Sequence, residues 1–180
     1  SGSIESARTI FCGTFSKTMV PGLRVGWVCA ARSLIEKLVL IKQASDLHSA
    51  PLNQVVMHKV AEALFDDQLG KIRSAYKERR DAMLAALETY MPDGITWHRP
   101  EGGMFVWLTL PEGWDAKELL ARSVAEARVA FVPGDAFFAD GSGANTARLS
   151  FSLANPQVID EGVSRLGKLF SGVAGKSASR

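Results

Sequence analysis

The chain is short of cysteine, histidine and net charge, and each shortage excludes something. Only two cysteines, Cys12 and Cys29, occur in 180 residues. They lack metal-ligand spacing and fall in apolar runs, which predicts reduced, buried thiols in a cytosolic protein. Three histidines, His48, His58 and His98, are scattered without a common spacing, so no metal site is expected. The 21 basic and 19 acidic residues leave a net charge of +2, which gives no reason to expect nucleic acid or an anionic membrane as partner. No apolar run approaches the roughly 18 residues that a membrane span needs. Ser1-Gly2-Ser3 lacks the basic-then-apolar order of a signal peptide, and reads as a scar or an abrupt cut into a longer protein.

What is present is ordinary globular material. Hydrophobic residues make up 47% and charged residues 22%, enough to bury a sizeable core and too apolar for disorder. Thr9 to Phe15 and Val25 to Ala30 are short, apolar and rich in β-formers. Neither alternates cleanly, so both are read as strands covered on two faces. Ser33 with Glu36 forms a capping box and opens a helix. Pro51 starts another, with Val56, Val60, Ala61 and Leu64 as its stripe. A third helical stretch, with Leu69, Ile72, Tyr76, Met83, Leu87 and Tyr90 in register, ends at Pro92-Asp93-Gly94.

Beyond Gly94 the pattern becomes β-rich. Ile95 to His98 and Met104 to Leu110 read as strands flanking Pro100-Glu-Gly-Gly103. Asp115 and Glu118 cap a helix that runs to about Arg128. Val129 to Val132 and Thr146 to Leu153 are strands, and Asn155-Pro156 starts a last helix. The order ββαββα describes an α+β lobe. Trp97 and Trp107 are expected to fill its core. The Lys77-Glu-Arg-Arg80 run is expected to be a solvated helix face, and the tail after Gly172 to be frayed.

The densest chemical signal is the stretch from Gly13 to Gly26. A strand ends in two hydroxyls, Thr14 and Ser16, directly before Lys17. Arg24 follows seven residues later across Pro21-Gly22. Hydroxyls with a guanidinium are what a phosphate wants. A neighbouring lysine amine can condense with an aldehyde.

This segment resembles the cofactor-lysine motif of fold-type I pyridoxal 5'-phosphate (PLP) enzymes, the class I/II aminotransferase family. The pattern there is a hydroxyl residue, one residue, Ser-Lys, a short spacer, Pro-Gly, one residue, Arg, one residue and Gly. Here Thr14, Ser16, Lys17, Pro21, Gly22, Arg24 and Gly26 fall in register, with Thr14 in place of the commoner serine. The resemblance implies that Lys17 carries the cofactor as catalytic lysine, and that Thr14, Ser16 and Arg24 contact its phosphate. It continues through Pro100 to Trp107, similar to the family's small-domain hairpin, and Val132 to Phe137, similar to a loop bordering the substrate. Ala147 to Phe151 resembles the strand whose arginine grips the substrate carboxylate. Alternation agrees, with Ala147, Leu149, Phe151 and Leu153 on one face and Arg148, Ser150 and Ser152 on the other.

The resemblance thus implies the C-terminal part of a PLP-transferase fold, α/β with α+β. Residues 1–45 would close a large α/β domain, 46–92 would be a helical connector, 93–173 the α+β small domain and 174–180 a frayed tail. The implied reaction moves an amino group between an amino acid and a 2-oxo acid in a cytoplasmic homodimer. Other cofactor contacts known in the family are not found before Thr9, so the chain alone is expected to be inactive. A PLP lyase or decarboxylase of the same fold, the effector domain of a transcription regulator and an inactive interaction fragment are the alternatives.

Overall fold

The computed structural model describes residues 8–177. The expectation for Ser1-Gly2-Ser3 and the last three residues of the tail therefore lie outside the described residues. The chain divides into two compact units, one ending at Arg73 and the other beginning at Ser74.

In the first unit, β1 (Phe11–Thr14) and β2 (Gly26–Cys29) form an antiparallel ladder, in register from Phe11 opposite Cys29 to Thr14 opposite Gly26. Glycine is required at position 13, because a Cβ there would collide with the Trp27 indole. That ring in turn lies 4.8 Å from Phe15. The two-face burial expected of these strands is not observed. Phe11, Trp27, Val28, Cys12 and Cys29 are all exposed. A two-stranded ladder covers neither of its own faces. Among the described residues of this unit only Ala30, Ala31 and Met57 are buried and apolar.

Helix α1 (Arg32–Ser45) begins earlier than its capping signal suggests. The first amide groups, of Leu34 and Ile35, both donate to the Ala31 carbonyl. Ser33 consequently lies inside the first turn and caps nothing. An Arg32–Glu36 ion pair one turn apart, at 3.5 Å, supports that turn instead. Helix α2 (Pro51–Tyr90) is a single helix of 40 residues where the pattern suggested two. Gly70 sits at mid-helix with open space around it, and one exposed glycine costs only about 1 kcal/mol against alanine. The division between units falls within α2.

The second unit is a four-stranded antiparallel sheet in the order β3-β4-β6-β5, packed with helices. Its strands are β3 (Thr96–Trp97), β4 (Phe105–Thr109), β5 (Val132–Pro133) and β6 (Thr146–Ser150). On one face Val106 and Leu108 of β4 and Ala147 and Leu149 of β6 are buried. They share a core with Met83 and Leu87 of α2 and with Leu119 of α3 (Ala116–Arg122). Ile159, Val163, Leu166 and Phe170 of α4 (Pro156–Ser177) complete it. Trp97 packs against this core as expected, whereas Trp107 points to the opposite face, beside Phe137 and Phe138. Strand β6 ends at Ser150 and inward burial persists only to Phe151, so Leu153, read as inward-facing, is 90% exposed.

The expected caps are present in this unit. Asp115 Oδ1 accepts from the amides of Lys117 at 2.7 Å and Glu118 at 3.3 Å. Asn155 Oδ1 accepts from the amide of Val158 at 2.9 Å. After α3 the helix widens into a π turn over Ser123–Ala127, closed by Arg128 in the left-handed region. Fully buried Ser123 donates its hydroxyl to the Val129 carbonyl at 2.7 Å. A Cβ on Gly167 would strike the Tyr90 carbonyl group, so this glycine lets α4 approach the end of α2. Helix α4 runs through Ser177, into the stretch read as a frayed tail.

The charged run on α2 is only half a solvated face. Lys77 and Glu78 are exposed, but Arg79 and Arg80 are half-buried. Arg79 donates to the Ser152 carbonyl. Arg80 donates to Asp81 and to the carbonyls of Pro100, at 3.3 Å, and Glu101, at 3.2 Å. These two arginines satisfy loop carbonyls that the sheet leaves unpaired.

Candidate active site

The candidate residues form two clusters, one in each unit. In the first, β1 delivers Thr14 and the chain turns sharply. The amides of Thr18 and Met19 both donate to the Phe15 carbonyl, at 3.3 and 2.9 Å. The Phe15 amide donates to Val25 at 3.1 Å, closing the segment Ser16–Arg24 into a loop. Its far side is pinned by Asn53, whose side-chain amide donates to the Leu23 carbonyl at 3.0 Å. Asn53 carried no sequence signal, because a contact across 30 residues leaves no local pattern.

Within this loop the expected hydroxyls converge. Thr14 Oγ1 accepts from the Ser16 amide at 3.1 Å. Its one proton lies between Ser16 Oγ at 3.1 Å and the Val25 carbonyl at 3.3 Å. Arg24 Nη1 reaches toward Ser16 Oγ at 3.5 Å and the Pro21 carbonyl at 3.4 Å. Arg24 itself has φ 54, the left-handed region, which folds its side chain back over the Pro-Gly turn. Thr14, Ser16 and Arg24 thus form one polar cluster, and Lys17, exposed, follows directly on Ser16. Two hydroxyls and a guanidinium so close together are a donor set that fits a phosphate group.

The second cluster surrounds Arg148. On β6 it stands opposite Trp107 of β4 and Val132 of β5. It is half-buried, on the sheet face away from the core. Its Cζ lies 4.1 Å from the centroid of the Phe105 ring and 4.7 Å from that of Phe137. Its Nε is buried without a hydrogen-bond partner among the described residues. Other arginines of this unit are spent differently, with Arg99 paired to Glu88 and Arg122 to Glu126. Phe105 and Phe137 lie in the two segments that the resemblance marked, Pro100 to Trp107 and Val132 to Phe137, but sequence reading gave neither ring a role of its own. The available signal was alternation, which puts Phe105 on the Trp107 side of β4.

Nearby, Phe137 closes a turn that opens at Gly134, where a Cβ would strike Thr146 and the Trp107 ring. Asp135 of this turn pairs with Lys117, and that hydrogen bond raises the lysine above its ordinary range. Among the described residues no three His, Cys, Asp or Glu side chains are grouped as metal ligands. Nor is any described helix long and apolar enough to cross a membrane.

Comparison with known proteins gives a consistent family. The aromatic-amino-acid aminotransferase 1 of Thermococcus litoralis is 50% identical over 90% of this chain and 39% of its own length. The α-aminoadipate aminotransferase of Thermus thermophilus, solved with N-(5'-phosphopyridoxyl)-L-leucine, superposes with a TM-score of 0.88 at 44% identity. That match covers 92% of this chain and 42% of the relative. The kynurenine aminotransferase of Pyrococcus horikoshii, solved with PMP, gives a TM-score of 0.89 at 42% identity, covering 93% of this chain and 42% of the other. The chain therefore spans about two fifths of the length of the relatives it matches. The sequence profile described as aminotransferase class I and II matches residues 2–166, and on that extent of agreement the chain belongs to the class I and II aminotransferase family.

Proposed function

We propose that the chain works in PLP-dependent transamination, moving an amino group between an amino acid and a 2-oxo acid. The observation that carries this reading is the convergence of Thr14, Ser16 and Arg24 in the loop that presents Lys17. The donor set matches the cofactor's phosphate: both hydroxyls can donate, and the Arg24 guanidinium supplies the compensating charge. When bound, PLP supplies an electron-accepting ring that weakens the bonds at the substrate Cα.

The chain's own residues do the rest. The Lys17 amine takes a proton from the substrate Cα as general base and later returns one as general acid. Arg148 holds the substrate carboxylate in a planar, two-bond grip that a lysine could not reproduce. Its lack of an acidic partner among the described residues supports that role, because an arginine already bound to a carboxylate would have to exchange it. The same reading assigns β1, β2 and α1 to a large cofactor domain and the α+β unit to a small domain. It also places the working enzyme in the cytoplasm as a homodimer.

The test is chemical. Borohydride reduction of the PLP-loaded protein should leave the cofactor covalently fixed on Lys17, located by peptide mass spectrometry. A label on Lys42 or Lys59 in place of Lys17 overturns the assignment.

A further inference from the structure

We propose that Phe105 and Phe137 are positioning residues that hold the Arg148 guanidinium ready for a carboxylate while leaving its hydrogen bonds unspent. The proposal rests on the carboxylate role given to Arg148 above.

A long arginine side chain on a half-exposed sheet face has many rotamers, and fixing it requires partners. The usual partners are carboxylates or carbonyls, and each consumes N–H donors. Arg80 is held in that manner, through Asp81 and two loop carbonyls. Arg148 is held by rings, with Phe105 and Phe137 at 4.1 and 4.7 Å from its Cζ. An aromatic face attracts the cation electrostatically yet accepts no conventional hydrogen bond. The group is therefore located without being satisfied. The buried, unpartnered Nε is the direct sign of this, since a buried donor without an acceptor is a standing cost that an arriving ligand relieves.

The rings are themselves held. Phe105 is fixed by its strand, opposite Ser150. Phe137 packs edge-on against Trp107, centroids 5.5 Å apart, and Trp107 stands opposite Arg148 across the ladder. Trp107 thus backs Phe137, one of the two rings that meet the guanidinium. The fork arrives pre-ordered and partly desolvated, which lowers the ordering entropy that carboxylate binding would otherwise consume.

The experiment uses the full 180-residue chain with 15N-arginine. The Arg148 Nε–H resonance is assigned by its loss in Arg148→Lys. Ring contact should displace it from the ordinary arginine position, and Phe105→Leu and Phe137→Leu should each move it back. Pyruvate, as a minimal carboxylate probe, should shift the wild-type resonance. In the double leucine variant the midpoint of that titration should rise about three- to tenfold, and Phe105→Tyr with Phe137→Tyr should restore it. Both phenylalanines are partly exposed, 37% and 50%, so leucine is tolerated at either site. A wild-type resonance at the ordinary position, or an unchanged midpoint in the double leucine variant, overturns the proposal. A displaced resonance that ignores pyruvate overturns instead the carboxylate grip on which it rests. The two failures are told apart by which signal is missing.

Discussion

The two units hold their chemistry in opposite ways. In the unit that carries Lys17, backbone hydrogen bonds fix the residues of interest within an exposed loop, and only three apolar side chains are buried among its described residues. In the unit that carries Arg148, a sheet with a fully packed core on one face presents the arginine on the other. The lesson is that local hydrogen bonding shapes a loop without hydrophobic burial behind it, whereas a strand residue inherits its direction from the core beneath. Arg24 depends on its own backbone angle. Arg148 depends on the alternation that buries Ala147 and Leu149.

The comparison breaks most readily in the core. Phe170 is fully buried between Trp114 and Phe131, with ring centroids at 5.9 and 6.4 Å. Phe170→Ala should destabilise the α+β unit by about 3–5 kcal/mol, read as a lower denaturant midpoint in urea. Ile41→Ala, at a residue 60% exposed in the lysine-bearing unit, should stay within about 0.5 kcal/mol. Comparable losses at both positions would mean that the lysine-bearing unit has a core after all.

A smaller effect is expected at the α3 cap. Asp115→Ala leaves the amides of Lys117 and Glu118 without their acceptor and should lower stability by about 1 kcal/mol. Asp115→Asn should recover most of it. If alanine is neutral, the helix start is held by packing of Ala116 and Leu119 alone.

The smallest effect is electrostatic and appears only against pH. Hydrogen bonds from Lys77, and then from Arg80, hold Asp81 below its ordinary value. A carboxylate lowered by folding contributes stability above its unfolded value, near pH 3.9, that is lost as pH falls through the folded value. Asp81→Asn should therefore narrow its gap from wild type as the solution is acidified below about pH 4, and added salt should shrink that gap at every pH. A gap that does not depend on pH would assign the residue to packing.

Legibility followed the range of the interactions. The ββαββα order, the Asp115 and Asn155 caps and the hydroxyl–arginine loop could be read because each depends on residues a few positions apart. Burial of β1 and β2 could not. Their apolar composition states what would suit the strands, while exposure of Cys12 and Cys29 depends on what packs over them. Fusion of two predicted helices into α2 was hidden by the five-residue step from Leu64 to Leu69, which interrupts the three- and four-residue spacing of the stripe although no glycine or proline stands between them. The Ser33 box failed because Ala31 takes the N-cap position and the helix begins at Arg32, so the right residues stood two positions too late. The rings around Arg148 come from β4 and from the turn beyond β5, and no periodicity links them.

The left-handed backbone at Arg24 has a consequence for anyone engineering this protein. A side chain at φ 54 is strained by about 1 kcal/mol relative to glycine, so Arg24→Gly should make the loop more robust. Directed evolution scored on heat tolerance alone would favour that exchange and enrich it early. The lineage would gain durability and discard the guanidinium beside Ser16, a loss that a stability screen never registers. Position 24 is therefore one where selection for survival and selection for chemistry pull apart, and libraries built on this scaffold should keep it constant.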